Sequence, residues 1–441
     1  MSRSELDGRA IASKADSAPN RSDRAAAVSA RARVAERPHA NASRGRRRSE
    51  LSCMFAAYAL ISFGLVVCWC LLWREVPVTV NGRQRIVRIA TPIRDLLEQN
   101  AYFGAKPGKL LSIGGNVLSE DGGNSCSVTY GGAQLDPAQI ASYRLHEGDE
   151  LTVDDGKDVQ EGHIETTVDV PPGIQMDRGG AVQFVSRWGK AGVKTVWTGR
   201  RSKEVIDRQI TKLPVDMIVR SINLEPKADR PCVALTFDDG PSSFTPKVLD
   251  ILAQKGVKAT FFNLGANVMR DPAAARAITD AGCALGNHTM THMNLTTVDR
   301  DTLRSEISRS ADILRGTGAS PQMIRAPYGA FTAAEWARSG DLIGSNILWN
   351  IDTRDWTRPG ANKIAGAVLD GAKNGSIILM HDGGGDRSQD VQALPGIIDE
   401  LHKRGFAFVT VPEMMKLDGR IPDAVVGGTT RLPDDCGMPD S

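Results

Sequence analysis

Leu235-Thr236-Phe237-Asp238-Asp239-Gly240-Pro241 is an apolar run that stops on two adjacent carboxylates and a Gly-Pro turn. Neighbouring acids at a strand end are costly for folding alone, because like charges repel and lose water. The pair suggests a division of labour in which one acid holds a metal and the other moves a proton. A solvated Asp-Asp-Gly turn is the plainer reading, and the rest of the chain decides between them. From Cys232 onward the pattern is strand then helix, repeatedly. Candidate strands cover 232–237, 259–263, 283–286, 322–326, 346–350, 376–380 and 406–410. Helical stretches such as 245–254, 271–281, 299–314, 361–373 and 391–404 lie between them. This alternation predicts a parallel sheet, open or closed into a barrel. In such barrels chemistry gathers at the C-terminal ends of the strands.

The later strand ends meet that test. Asn287-His288-Thr289-Met290-Thr291-His292 follows the third strand. Two His residues four apart can face one way over a helical turn and reach one metal. With a carboxylate from the first strand they make a three-ligand set that leaves positions open for water and substrate. Arg325-Ala326-Pro327-Tyr328-Gly329 ends the fourth strand, and Arg is a fixed bidentate donor suited to orienting a carboxylate. Asp352-Thr353-Arg354-Asp355-Trp356 ends the fifth, and Leu379-Met380-His381-Asp382-Gly383 the sixth. The following Gly383-Gly384-Gly385 reads as a flexible loop, or as a turn that lets substrate approach closely.

The ordered set resembles the polysaccharide deacetylases of the NodB homology type, carbohydrate esterase family four, over about 230–415. The resemblance implies an α/β fold, a distorted (β/α)7 barrel, and hydrolysis of an N-acetyl group. It implies that Asp239, His288 and His292 bind a divalent metal, usually Zn2+, with Co2+ or Ni2+ as alternatives. Asp238 would be the general base, oriented by Arg325, and the backbone N–H of Tyr328 would help stabilise the oxyanion. Trp356 and Leu379 would line the acetyl pocket, and His381 would be the general acid. Either Asp352 or Asp355 could couple to His381; Asp355 is preferred because it precedes Trp356. The chemistry agrees, since amide hydrolysis needs an activated water, a stabilised oxyanion and a protonated nitrogen leaving group.

Upstream, residues 1–50 are rich in Arg, Ala and Ser without apolar periodicity, and are expected to be disordered. Residues 51–73 are uncharged and mostly apolar, long enough to span a hydrocarbon core of roughly 30 Å. The cluster Arg44-Gly45-Arg46-Arg47-Arg48 before them orients the chain, with a cytoplasmic N-terminus and everything after Arg74 outside a bacterial membrane. A cleaved signal peptide is the alternative. Asn81-Gly82 between alternating stretches reads as a hairpin, and 76–155 resembles a ubiquitin-like β-grasp module. Residues 159–226 resemble a glycine-punctuated β surface module of the G-five type. Residues 416–441 read as a loose tail. Cys232 and Cys283 are expected as buried thiols, and no pairing is inferred for Cys126 or Cys436.

A net charge of +2 implies no nucleic-acid partner, and nothing points to a particular protein partner. The partners expected are a glycan and the membrane. The leading expectation is a membrane-anchored N-deacetylase acting on peptidoglycan N-acetylglucosamine. The alternatives are another glycan (chitin oligosaccharide, biofilm polysaccharide or acetylxylan) or a non-catalytic wall-binding protein.

Overall fold

The computed structural model describes residues 46–440, with side chains from 54 onward except 71 and 72. Most of the expected N-terminal segment, 1–45, lies outside the described residues. Arg46–Leu72 is one helix, so 46–50 belong to it. Its large apolar side chains between Met54 and Trp69 are exposed. Among the described residues no helix is long and apolar enough to cross a membrane. The side chains at 51–53, 71 and 72, which complete the expected span, lie outside the described residues.

The chain divides into two compact units, 1–99 with 129–152, and 100–128 with 153–441. In the first, Glu75–Val80 and Arg83–Arg88 form the hairpin around Asn81-Gly82, and Glu75–Val80 also pairs in parallel with Glu150–Asp154. Ser127–Tyr130 and Ala133–Gln134 complete this five-stranded sheet. Val76, Val78 and Val80 are buried with Leu96, Leu97, Leu145 and Leu151, the period-two face that a half-buried strand requires.

The second unit contains the largest sheet. Its strands are β1 (Ile174–Met176), β2 (Val182–Arg187), β3 (Met217–Ile222), β4 (Cys232–Gly240), β5 (Thr260–Asn263), β6 (Ala284–Asn287), β7 (Met323–Ile324), β8 (Ser345–Ile347), β9 (Ile351–Asp352), β10 (Ser376–His381) and β11 (Ala407–Phe408). Their order is β1-β3-β2-β8-β7-β6-β5-β4-β10-β9, with β11 also paired to β4. All seven expected strands are present, and from β8 to β10 they pair in parallel. Three residues join β8 to β9, although the two lie at opposite ends of that arc. Four Cα steps span at most about 15 Å, so the arc must curl until its ends nearly meet.

The curled sheet decides between the open and closed forms of the expected distorted (β/α)7 barrel. No ladder joins β8 to β9 among the described residues. Instead β2 pairs antiparallel with β8, Val182 opposite Ile347, and β3 and β1 follow. The 159–226 stretch is therefore not one separate module. Half of it extends the large sheet, and His163–Val170, Gly192–Gly199 and Val205–Lys212 form a three-stranded sheet of their own. The 76–155 boundary also shifts. Leu110–Leu111 pairs with Val159–Gln160, and Asp155 and Asp158 accept the amides of Lys106 and Lys109, which draws 100–128 into the second unit.

Period two explains why β4 organises the site. Val233, Leu235 and Phe237 face a helical layer through Val248, Leu252, Leu394 and Ile397. Cys232 and Ala234 pack on the other face with Phe262, Ile377 and Met414. Thr236 and Asp238 share that second face. Cys232 and Cys283 are buried free thiols. The expected tail is packed: Val411–Asp418 and Asp423–Val426 are helical, Ile421 and Val425 are buried, and Gly437 bridges Gly189.

Candidate active site

Asp238 ends the inward row of β4, and its Oδ1 accepts Arg325 Nη1 at 2.7 Å. Arg325 is fully buried. Its remaining donors reach Thr236 Oγ1 at 2.8 Å, the Ile347 carbonyl at 2.8 Å and the Leu348 carbonyl at 3.2 Å. Its guanidinium also stacks 4.4 Å from the Phe262 ring. A buried ion pair this well bonded fixes orientation, and removing one partner costs about 3–5 kcal/mol. Burial pushes the guanidinium pKa down, and Asp238 opposes that shift.

Asp239 leaves the ladder. The β4–β5 register slips between Asp238 and Gly240, and Asp239 takes φ +71°, a left-handed conformation that is rare for a non-glycine residue. The bulge, as well as simple alternation, separates the two carboxylates. Asp239 Oδ1 lies 3.4 Å from His288 Nε2 and 3.3 Å from His292 Nε2. The histidines do not ride the helical turn that their spacing suggested. They sit in an irregular loop with φ +70° at Thr289 and +65° at His292, and their ring centroids are 5.0 Å apart. His288 Nδ1 is 2.7 Å from the Arg325 carbonyl. Donation to that carbonyl leaves the Nε2 lone pair facing Asp239. Arg325 thus orients the carboxylate with its side chain and the imidazole with its backbone.

Asp239, His288 and His292 offer ligand atoms all within 4.8 Å of one another. Asp239 Oδ1 is buried without a hydrogen-bond donor. Three converging lone-pair donors and an orphaned buried oxygen are costly unless a cation joins them, so the residues fit a divalent metal. Burial opposes ionisation of Asp239, but its contact with His288 and the charges of His288, His292 and His381 hold its carboxyl well below the usual range. Burial and the neighbouring His288 lower the His292 pKa.

Across the cleft, His381 is the register partner of Asp238 on β10. Its Nδ1 is 2.8 Å from Asp355 Oδ1, and its backbone N–H donates to Asp355 Oδ2 at 2.8 Å. Asp355 is buried at the start of the 3-10 turn Asp355–Thr357. Asp352 is exposed and accepts the Arg354 amide, so of the two candidates it is Asp355 that meets His381. Burial opposes the imidazolium, but the hydrogen bond and charge of Asp355 outweigh it and raise the His381 pKa. Burial likewise opposes the Asp355 charge, and His381 lowers its pKa overall.

Asp238, Asp239, His288, His292 and His381 line one cleft of about 660 Å³ with Tyr328, Asp352, Trp356 and Leu379. Tyr328 has φ +62° in the turn Pro327–Gly329. Tyr328 is 67% exposed and Trp356 54%, while Leu379 is buried, so the cleft has aromatic lips and an apolar floor.

Trp349, Gly384 and Arg387 also line the cleft, and sequence reasoning missed them. The glycine turn is not a loose loop. A Cβ on Gly383 would lie 2.1 Å from the Asp239 carbonyl, and one on Gly384, at φ +71°, 2.4 Å from Asp239 Oδ2. The turn buttresses Asp239. Arg387, nearly buried, staples it by donating to the Gly383 and Gly384 carbonyls at 2.6 and 3.1 Å. The cue was three glycines directly after a strand end that carries His381 and Asp382.

Residues 225–342 match the family model described as polysaccharide deacetylase. A peptidoglycan-N-acetylglucosamine deacetylase of Bacillus cereus is 38% identical over 187 residues, covering 42% of this chain and 88% of that protein. A chitooligosaccharide deacetylase of Sinorhizobium fredii is 39% identical over 196 residues, covering 42% of this chain and 91% of that protein. A crystal structure of a peptidoglycan N-acetylglucosamine deacetylase is 40% identical, covers 43% of this chain and 91% of that one, and superposes with a TM-score of 0.41.

Proposed function

Because this chain belongs to the polysaccharide deacetylase family, we propose that it hydrolyses N-acetyl groups of peptidoglycan N-acetylglucosamine and releases acetate. The observation that carries the reading is the placement of Asp238 and His381 as register partners on adjacent strands, beside the Asp239, His288 and His292 cluster. A carboxylate and an imidazole so placed can serve the two ends of one amide.

Asp238, Arg325-bound, is the general base that takes a proton from the attacking water. His381, charged through Asp355, is the general acid that gives a proton to the amide nitrogen as the C–N bond breaks. The products are an amino sugar and acetate. The Tyr328 N–H donates to the oxyanion, and Trp356 and Leu379 hold the acetyl methyl. Asp239, His288 and His292 would hold zinc, or Co2+ or Ni2+. When bound, such a cation supplies Lewis acidity toward the acetyl carbonyl and lowers the pKa of water.

The segment 51–73 anchors the chain in a bacterial membrane, N-terminus cytoplasmic and catalytic domain outside. The exposed Phe55, Leu60, Phe63, Leu65 and Trp69 on its surface support this. Protease added outside intact cells should remove the catalytic domain and spare an N-terminal tag; loss of the tag would overturn the orientation.

A second reading, deacetylation of chitin oligosaccharides, is favoured by the similar identity to the Sinorhizobium fredii protein. Acetate release by the zinc-loaded full-length chain from purified peptidoglycan and from chitin oligomers separates the two. Faster release from peptidoglycan is expected. Release from chitin alone would replace the substrate reading, and release from neither, with Zn2+, Co2+ or Ni2+, would overturn the catalytic one.

A further inference from the structure

One buried carboxyl behind the site has no role in the reading above. Asp390, on the helix Ser388–Lys403, is 1% exposed, and its carboxyl faces that of Asp355. It occupies the apolar face of that helix, in line with Ala393, Leu394, Ile397 and Leu401. A carboxyl at a core position is expensive unless it is neutral or fully partnered.

Two buried carboxyls in contact do not both ionise readily, so the pair shares a proton. The partners decide which group keeps it. Asp355 meets three nitrogens, His381 Nδ1 at 2.8 Å and the backbone N–H groups of His381 and Trp356 at 2.8 and 3.0 Å. Asp390 Oδ1 is buried with no hydrogen-bond donor. Negative charge is therefore solvated on Asp355 and stranded on Asp390. The other charge facing Asp390 is Arg387, which also acts on Asp355. Behind Asp355 stands His381, which feels Asp238 and Asp239.

We propose that Asp390 is a protonated positioning residue that donates a hydrogen bond to Asp355, holds it against His381 and limits how tightly it retains the imidazolium proton. Burial and the contact with Asp355 raise the Asp390 pKa against the pull of Arg387, in agreement. The proposal rests on His381 being the general acid. An acid must release its proton in the transition state, so a partner that holds the proton too strongly slows the step. A donor on the far side of Asp355 draws charge away from the imidazole.

The test is a histidine NMR titration of the zinc-loaded full-length chain, which reads His381 whether or not a substrate is known. Asp390→Asn keeps a neutral donor, so its His381 midpoint should match that of the native chain. Asp390→Leu removes the donor and should raise the midpoint by about half a pH unit or more, and the alkaline limb of acetate release should move with it. If Asp390 were ionised, Asp390→Asn would remove a negative charge and lower the midpoint, which would overturn the proposal. An unmoved midpoint in Asp390→Leu would overturn it too. Should the Leu variant fail to fold, infrared difference spectra still decide. A protonated-carboxyl C=O band at pH 7 that disappears in Asp390→Asn supports the proposal, and no such band refutes it. A native His381 titration alongside no acetate from any glycan would refute the catalytic reading and leave the carboxyl pair intact.

Discussion

The two walls of the cleft each hold a buried carboxylate, and they neutralise it differently. On one wall Asp238 faces a guanidinium that stays charged throughout the working pH range, and every nitrogen of the Arg325 guanidinium donates a hydrogen bond. On the other wall Asp355 faces an imidazole whose charge depends on pH, with a second carboxyl behind it. The first arrangement is fixed and suits a group that must always be ready to accept a proton. The second can change charge and suits a group that must give one away.

The comparison can be broken most directly at the metal cluster beside the first wall. Asp239→Asn should lower acetate release about 10³-fold, the several kcal/mol that a Lewis acid contributes, with zinc content falling in parallel. Full zinc occupancy with native activity would remove Asp239 from the ligand set. Arg325→Leu should cost about 3–5 kcal/mol of stability, read from denaturant melts, because it strands the Asp238 charge. A change below about 1 kcal/mol would mean that the wall is not held by that pair.

Smaller effects sharpen the contrast. Asp355→Asn should lower the His381 pKa, so the alkaline limb of the rate profile moves to lower pH by about one unit, with activity down roughly tenfold to a hundredfold. Stability responds with the matching sign. Because the His381 pKa is raised in the folded chain, its pairing contributes fully below about pH 6.5 and is lost as pH rises through the folded value. Melts of Asp355→Asn should lack that dependence. Gly384→Ala places a methyl 2.4 Å from Asp239 Oδ2 and should weaken zinc binding about tenfold, the scale of a disturbed supporting contact. Trp356→Ala, at an exposed lip, should raise KM several-fold, within the 1–3 kcal/mol of an apolar pocket contact, with little change in kcat.

Legibility in the sequence divides along the same line. The metal cluster beside the first wall is spelled out in two short strings, Asp238 with Asp239 after one strand and His288 with His292 after another. The second wall depends on residues that meet from three separate elements, the turn at Asp355, β10 and the helix of Asp390. A trace of it was readable, since Asp390 interrupts the apolar spacing of Ala393, Leu394 and Ile397. Nothing local shows that the interruption meets Asp355.

By itself the sequence determined the alternation of strands and helices, the ionisable strand ends and the uncharged stretch at 51–73. These are local periodicities of side-chain chemistry, and they survive without knowledge of neighbours. Tertiary structure alone decided that the sheet curls without closing, that 182–187 and 217–222 extend it, and that Asp239 and His292 take left-handed backbone conformations. It also decided that Gly383 and Gly384 pack against Asp239 and that Asp355 faces a second buried carboxyl, Asp390. Each of these follows from long-range contact, where burial changes what a residue can afford to be.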